Sequence, residues 1–137
     1  ESLHTYFNIS DVGNVSVHGL DGLHYLDKLE DFQLNQQSGP LSMERETDRI
    51  YLDSSSENRI EDSGFNRTIC ITTEGSCSTV VWNPWQETAK KMGALGKDGY
   101  KNMLCVESSN AADDVVNIPP GKTYHLWVQY EVQPCSS

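Results

Sequence analysis

Two side chains in this sequence could move protons together, His4 and Glu107. Histidine is the side chain whose ordinary charge change falls near neutral pH. A carboxylate that stays ionised is a natural base to set against it. Each also has a plainer explanation. A lone histidine in a strand is commonly a packed or solvated structural residue. Glu107 closes the apolar run Met103-Leu104-Cys105-Val106 and precedes the polar Ser108-Ser109-Asn110, so it also reads as a solvated strand end. Glutamate is rarely buried without a partner, however, and a carboxylate at the mouth of an apolar strand is a candidate site group. Sequence alone does not fix the separation of the two. Signatures of other chemistries are missing: there is no nucleotide-binding loop, no G-x-S-x-G and no H-E-x-x-H. His18 and His24 face each other across a turn with no carboxylate placed to complete a metal site, and His125 sits among aromatics in a strand-like run. No metal and no cofactor are expected.

The elements that must position these residues are mostly strands. Leu3 to Ile9 reads as a strand, with alternation placing His4 and Tyr6 on one face and Leu3, Thr5 and Phe7 on the other. Val15 to Val17, His24 to Leu29, Asp48 to Leu52 and a brief Arg59-Ile60 follow, separated by turn residues. Glu30 to Glu46 is polar, with Gly39-Pro40 in its middle, and is expected to be an exposed connection. Arg67 to Thr73 is β-branched and alternating, Glu74-Gly75-Ser76 turns it, and Thr79 to Trp82 is expected to pair back as a hairpin. Asn83-Pro84 opens the one helix signal, over Glu87 to Leu95, before Gly96. Lys122 to Val132 reads as a long strand, and Gln133 to Ser137 as a frayed tail. About eight to ten short strands and one short helix make an all-β sandwich or barrel.

Composition bounds the partners. The 137 residues suit a single domain, here taken as 1–137, and 36% hydrophobic with 22% charged residues is the balance of a globular protein. A net charge of −10 argues against nucleic acid and against an anionic membrane surface, while leaving room for a small anionic ligand held by a few local cations. Four cysteines without a C-x-x-C suggest reduced thiols and a cytoplasmic setting. The sequons at Asn8, Asn14 and Asn66 are of the number that a Ser- and Thr-rich chain carries by chance. The sequence opens at Glu1-Ser2-Leu3 as if already inside a strand, so a longer N-terminal part is expected.

Four segments carry a family resemblance. His4-Thr5-Tyr6-Phe7-Asn8, Asp48-Arg49-Ile50-Tyr51, Val80-Val81-Trp82-Asn83-Pro84-Trp85 and Met103-Leu104-Cys105-Val106-Glu107 resemble the successive motifs of the aldose 1-epimerase superfamily. Thr5 and Arg49 favour its glucose-6-phosphate 1-epimerase, or hexose-6-phosphate mutarotase, branch. The resemblance implies an antiparallel β-sandwich, part of a galactose mutarotase-like supersandwich, with a shallow sugar cleft on one sheet. It implies a general acid at His4, a general base at Glu107 and a substrate-hydroxyl ligand at Asp48. It implies an isomerase that interconverts the α and β anomers of a hexose 6-phosphate without a cofactor. Members of the family are longer, and this chain is similar to their C-terminal half. A sugar phosphate is thus the expected small-molecule partner, and the missing N-terminal half, as a separate segment, a second one. The competing reading is a non-catalytic carbohydrate-binding sandwich or an inactive fragment. Trp82 and Trp85 are expected to anchor the strand-to-helix junction rather than to line a cleft. Arg45 and Arg49 are the basic residues nearest Asp48 in sequence, and Arg49 could equally pair with a carboxylate.

Overall fold

The computed structural model describes residues 1–135 and is all-β apart from one α-helix and three short 3-10 turns. Twelve strands divide between two antiparallel sheets. The first sheet holds β1 (Ser2–Leu3), β2 (Tyr6–Asn8), β4 (His24–Asp27), β5 (Gln33–Gln36), β7 (Thr47–Tyr51), β10 (Ser78–Asn83) and β11 (Met103–Ser109). The second is built from β3 (Val15–His18), β6 (Leu41–Ser42), β8 (Glu57–Asp62), β9 (Arg67–Glu74) and β12 (Trp127–Pro134).

The core lies between the sheets and follows from alternation. Tyr51, Val81, Leu104 and Val106 of the first sheet meet Val17, Ile60, Ile69 and Ile71 of the second, all buried. The intervening residues of β7, β10 and β11 face the other way, outside the sandwich, and form the floor of a cleft. β11 sits at the centre of this arrangement. β10 pairs with it on one side, while β1 and β2 share its other side end to end. All seven of its residues are buried. The strand runs on through Glu107 to Ser109, so Glu107 is an interior residue of the strand and not its solvated end. Ser108 and Ser109 are polar yet strand-forming here because hydroxyls satisfy them. Thr73 and Ser108 bond side chain to side chain across the sheets at 2.5 Å, and Ser2 reaches Ser109 at 2.5 Å.

Several sequence expectations need correction. The run from Arg67 and the run from Thr79 do not form a hairpin. β9 pairs with β8 and β12, while β10 pairs with β7 and β11, so the turn at Gly75 carries the chain from one sheet to the other. A crossover and a hairpin share the same turn chemistry, and only the identity of the partner strand tells them apart. The polar stretch 30–46 contains β5 and β6. β5 is an edge strand with mostly exposed residues, so it lacks the apolar alternation that marks a strand. β8 spans six residues rather than two, and the last strand begins at Trp127. The helix, α1 (Trp85–Met92), follows the Asn83-Pro84 signal but starts two residues before Glu87 and stops at Gly93, short of the expected Leu95. Ser136 and Ser137 of the expected tail lie outside the described residues.

Among the described residues no helix is long and apolar enough to cross a membrane. The four cysteines are unpaired.

Candidate active site

The first strand expected from the sequence is interrupted at the point where it matters. β1 pairs Leu3 with Ser108, and β2 resumes with Tyr6 opposite Cys105. Between them Thr5 N donates to Leu3 O at 2.9 Å, closing a tight turn around His4. The ladder opens there, and the His4 ring swings over β11. His4 Nδ1 lies 3.2 Å from Glu107 Oε1. The other carboxylate oxygen, Oε2, accepts a bond from the Ser2 hydroxyl at 2.5 Å. With its only proton committed to Glu107, Ser2 must accept from Ser109. Glu107 is thus a buried carboxylate, 5% exposed, with the Ser2 hydroxyl bonded to one oxygen and the His4 ring in ion-pair range of the other, so that its buried charge is not left alone. The His4 side chain remains 49% exposed.

Aromatic rings hold His4 from behind. Tyr6 stacks on it at 5.0 Å and 6°, so His4 and Tyr6 do share a face. Trp82 stands edge-on to both, at 5.7 Å from His4 and 5.9 Å from Tyr6. The Tyr6 phenol is raised above its usual value by partial burial and then by Cys105 and Glu107 nearby.

The register sets the opposite wall. Val80 pairs with Glu107 on one side and Ile50 on the other, and Trp82 pairs with Cys105 and Asp48. Pairing residues share a face, so Glu107, Val80, Ile50, Trp82 and Asp48 all point into one cleft. This cavity of about 560 Å³ is lined by His4, Asp48 and Glu107 together, with Trp82, Lys28 and Ser2 among its other walls. That volume is in the range of small-molecule sites. Asp48 stands on β7, two strands away from Glu107 on β11, which leaves the width of a sugar ring between them.

Lys28 Nζ lies 3.0 Å from Asp48 Oδ1. The approach is outside hydrogen-bonding angles, so this is an ion pair, and Asp48 Oδ1 makes no hydrogen bond. Arg49 is not at the cleft. Alternation sends it to the inner face, 4.0 Å from Asp27, over the Tyr25 ring at 4.4 Å and bonded to Gln37 at 3.3 Å. Of the two tryptophans, Trp85 packs on Tyr100 at 5.1 Å as expected of an anchor, whereas Trp82 lines the cavity. Sequence reasoning took Trp82 for an anchor and passed over Ser2 and Lys28. Alternation from the buried Asp27 could have placed Lys28 on the cleft face, but the partner of Ser2 depends on a register that no local pattern encodes.

Donor atoms of His4, Cys105 and Glu107 all lie within 4.8 Å of one another, a spacing within reach of a metal ion. The set does not suit one. Cys105 is wholly buried, and burial, with Glu107 beside it, pushes its thiol well above the usual range, so the thiolate a metal needs is opposed. His18 instead meets Glu61 at 3.2 Å on the second sheet, remote in pairing from His24 on the first.

The sequence profile described as aldose 1-epimerase matches residues 2–131. The chain belongs to the aldose 1-epimerase family. A protein of Cenchrus ciliaris named "Putative glucose-6-phosphate 1-epimerase" is 37% identical over 134 residues, covering 97% of this chain and 40% of that protein. One of the same name from Escherichia coli K12 is 37% identical over 113 residues, covering 82% and 38%. The crystal structure of a "putative mutarotase (YeaD)" from Salmonella typhimurium superposes with a TM-score of 0.84 at 32% identity, over 97% of this chain and 45% of that one. The sandwich is therefore the family's fold. The chain spans about two fifths of the length of these curated relatives.

Proposed function

We propose that this cleft interconverts the α and β anomers of a hexose 6-phosphate, glucose 6-phosphate first among them, by acid–base ring opening. The observation that carries the reading is the 3.2 Å approach of His4 Nδ1 to Glu107 Oε1 on the wall of a cavity shared with Asp48. In a pyranose the hydroxyl oxygen O1 and the ring oxygen O5 are bonded to the same carbon. An acid for one and a base for the other must therefore converge within a few ångströms, as these two groups do.

Glu107 takes the proton from the O1 hydroxyl while His4 delivers one to O5. The C1–O5 bond breaks and an open-chain aldehyde forms. Rotation about C1–C2 presents the other face of the carbonyl. On closure His4 takes back the proton and Glu107 returns one to O1. Each proton transfer of this kind contributes roughly 10²–10⁴-fold. Asp48, whose side chain is partly open to the cleft, accepts from a ring hydroxyl and fixes the sugar's orientation. Trp82 offers an apolar face to the ring. The sugar phosphate, rather than the free sugar, is supported by the names of the relatives and by Thr5 and Arg49 in the motifs. Since those relatives are more than twice as long, the reading assigns the rest of the cleft wall to residues outside this chain.

The test is exchange between the anomers of glucose 6-phosphate, followed by NMR saturation transfer, on this chain and on one extended at its N-terminus. Exchange that rises with the concentration of the extended chain is expected. Exchange unchanged by either chain, with glucose 6-phosphate and with free hexoses, leaves a carbohydrate-binding sandwich as the reading.

A further inference from the structure

Lys28 is the only lysine or arginine that lines the cleft among the described residues, and the same walls carry three carboxylates, Glu1, Asp48 and Glu107. The whole chain adds a net charge of −10. An anionic ligand entering this cleft meets repulsion on most sides and one permanent cation. That cation is held in place by the fold. Asp27, the last residue of β4, pairs with Arg49 in the ladder and is buried on the inner face, 5% exposed. Its carboxylate caps the 3-10 turn Lys28–Glu30 by accepting from Leu29 N at 3.0 Å. The next residue along, Lys28, must therefore project to the opposite face, which is the cleft face, beside Asp48 on the neighbouring strand. Its side chain is 38% exposed, so it remains open to solvent and to a ligand.

The ion pair with Asp48 is loosely made. Nζ comes within 3.0 Å of Oδ1 but outside hydrogen-bonding angles, and Oδ1 is left without a hydrogen bond. An ammonium group carries three donors, and this geometry leaves them uncommitted to Asp48. Oδ1 itself is buried beside the ammonium, so a sugar hydroxyl meets the open part of the carboxylate while the more exposed ammonium turns to a second anion.

We propose that Lys28 is the residue of this chain that selects the phosphorylated over the free sugar, by contacting the phosphate while it stays beside Asp48. The proposal rests on the reading of the cleft as a hexose-phosphate site, and its test separates the two. Glucose 6-phosphate and glucose are titrated separately into the isotope-labelled chain extended at its N-terminus, and amide shifts of cleft residues give an affinity for each. The Lys28→Met and Lys28→Arg variants are treated alike. Lys28→Met keeps the apolar stem and removes the charge. It is expected to weaken glucose 6-phosphate by about tenfold or more, the effect of losing a charge-assisted hydrogen bond, and to leave glucose within about twofold. Lys28→Arg is expected to keep the preference. Equal weakening of both sugars by Lys28→Met means that Lys28 acts only through Asp48, and unchanged binding of both means that it acts on neither. Either result overturns the proposal while leaving the sugar reading intact. No cleft shift with either sugar on the unsubstituted extended chain overturns the sugar reading, and Lys28's part in it as well.

Discussion

The hydroxyl of Ser2 donates to Glu107 Oε2 at 2.5 Å, and by holding that oxygen it leaves Oε1 as the one presented to His4. The bond also fixes the first strand of the chain to the strand that carries the proposed base. Ser2→Ala removes the donor without adding bulk. Ser2 is exposed at the surface, so the fold keeps its core. The carboxylate then gains freedom to turn away from His4. The expected result is a loss of roughly tenfold or more in the rate of anomer exchange, from a charge-assisted bond of about 1.5–3 kcal/mol, with a smaller fall in thermal midpoint from the buried Ser109 hydroxyl left without its acceptor. An equal drop in melting temperature and rate would show the bond to be structural only.

Glu107→Gln keeps the shape and the Ser2 bond but removes the base. His4→Ala removes the acid from a site that is half exposed. Each variant is expected to lower exchange by roughly 10²–10⁴-fold, and the double variant to lose little more than the worse single one, because the two groups act in one concerted step. Saturation transfer on glucose 6-phosphate measures all three. Exchange that survives Glu107→Gln unchanged removes Glu107 from the role of base.

Part of this site was legible because a β-strand has a period of two. Alternation placed His4 and Tyr6 on one face, and the resemblance to the aldose 1-epimerase motifs singled out His4, Asp48 and Glu107. What the pattern could not supply was which strands are neighbours. The Gly75 turn looks the same whether it closes a hairpin or crosses between sheets, and β9 and β10 lie in different sheets. Nor does local sequence show that β1 and β2 share one partner end to end, with the break at His4 that aims its ring. β5 and β6 escaped notice because strand Gln33–Gln36 is exposed and strand Leu41–Ser42 is two residues long. Glu107 read as a strand end because a charged residue inside a buried strand is rare. The Ser2 hydroxyl and the His4 ring that permit it come from the far end of the chain.

Asn83 joins the cleft strand to the helix. Its Nδ2 donates to Tyr100 O at 2.9 Å and Met103 O at 2.8 Å, and its Oδ1 accepts from Trp85 N at 2.9 Å, all in a wholly buried position. The same side chain thus holds the amide of the helix's first residue and ties it to the start of β11. Asn83→Ala leaves two buried carbonyls and one amide short of partners, at about 1–3 kcal/mol for each group left unsatisfied. A loss of about 3 kcal/mol or more in urea unfolding is expected, against about 1 kcal/mol for the ordinary loss of a single hydrogen bond. A loss near the smaller figure would mean that water replaces the missing bonds.

Tyr51 gives the sandwich a limit at high pH. It is fully buried on the inner face, its hydroxyl donating to Gln37 Oε1 at 2.7 Å. Burial pushes the phenol up to about 12 from 10.0, with Arg49 offsetting part of the rise. The folded state therefore holds the proton more tightly than the unfolded chain does. Below the unfolded value this contribution to stability is complete. Between about pH 10 and about pH 12 the unfolded chain ionises first, and stability falls with rising pH. Two units correspond to a loss on the order of 2–3 kcal/mol. Burial and then Glu107 raise the Cys105 thiol in the same sense, so the decline starts near the ordinary thiol value of 9.0. Tyr51→Phe loses the bond to Gln37, worth about 1 kcal/mol at neutral pH, but removes the phenol's share of the alkaline slope. Urea midpoints measured from pH 8 to pH 11.5 should fall for both proteins, and less steeply for Tyr51→Phe. Parallel slopes would assign the alkaline loss to groups other than Tyr51.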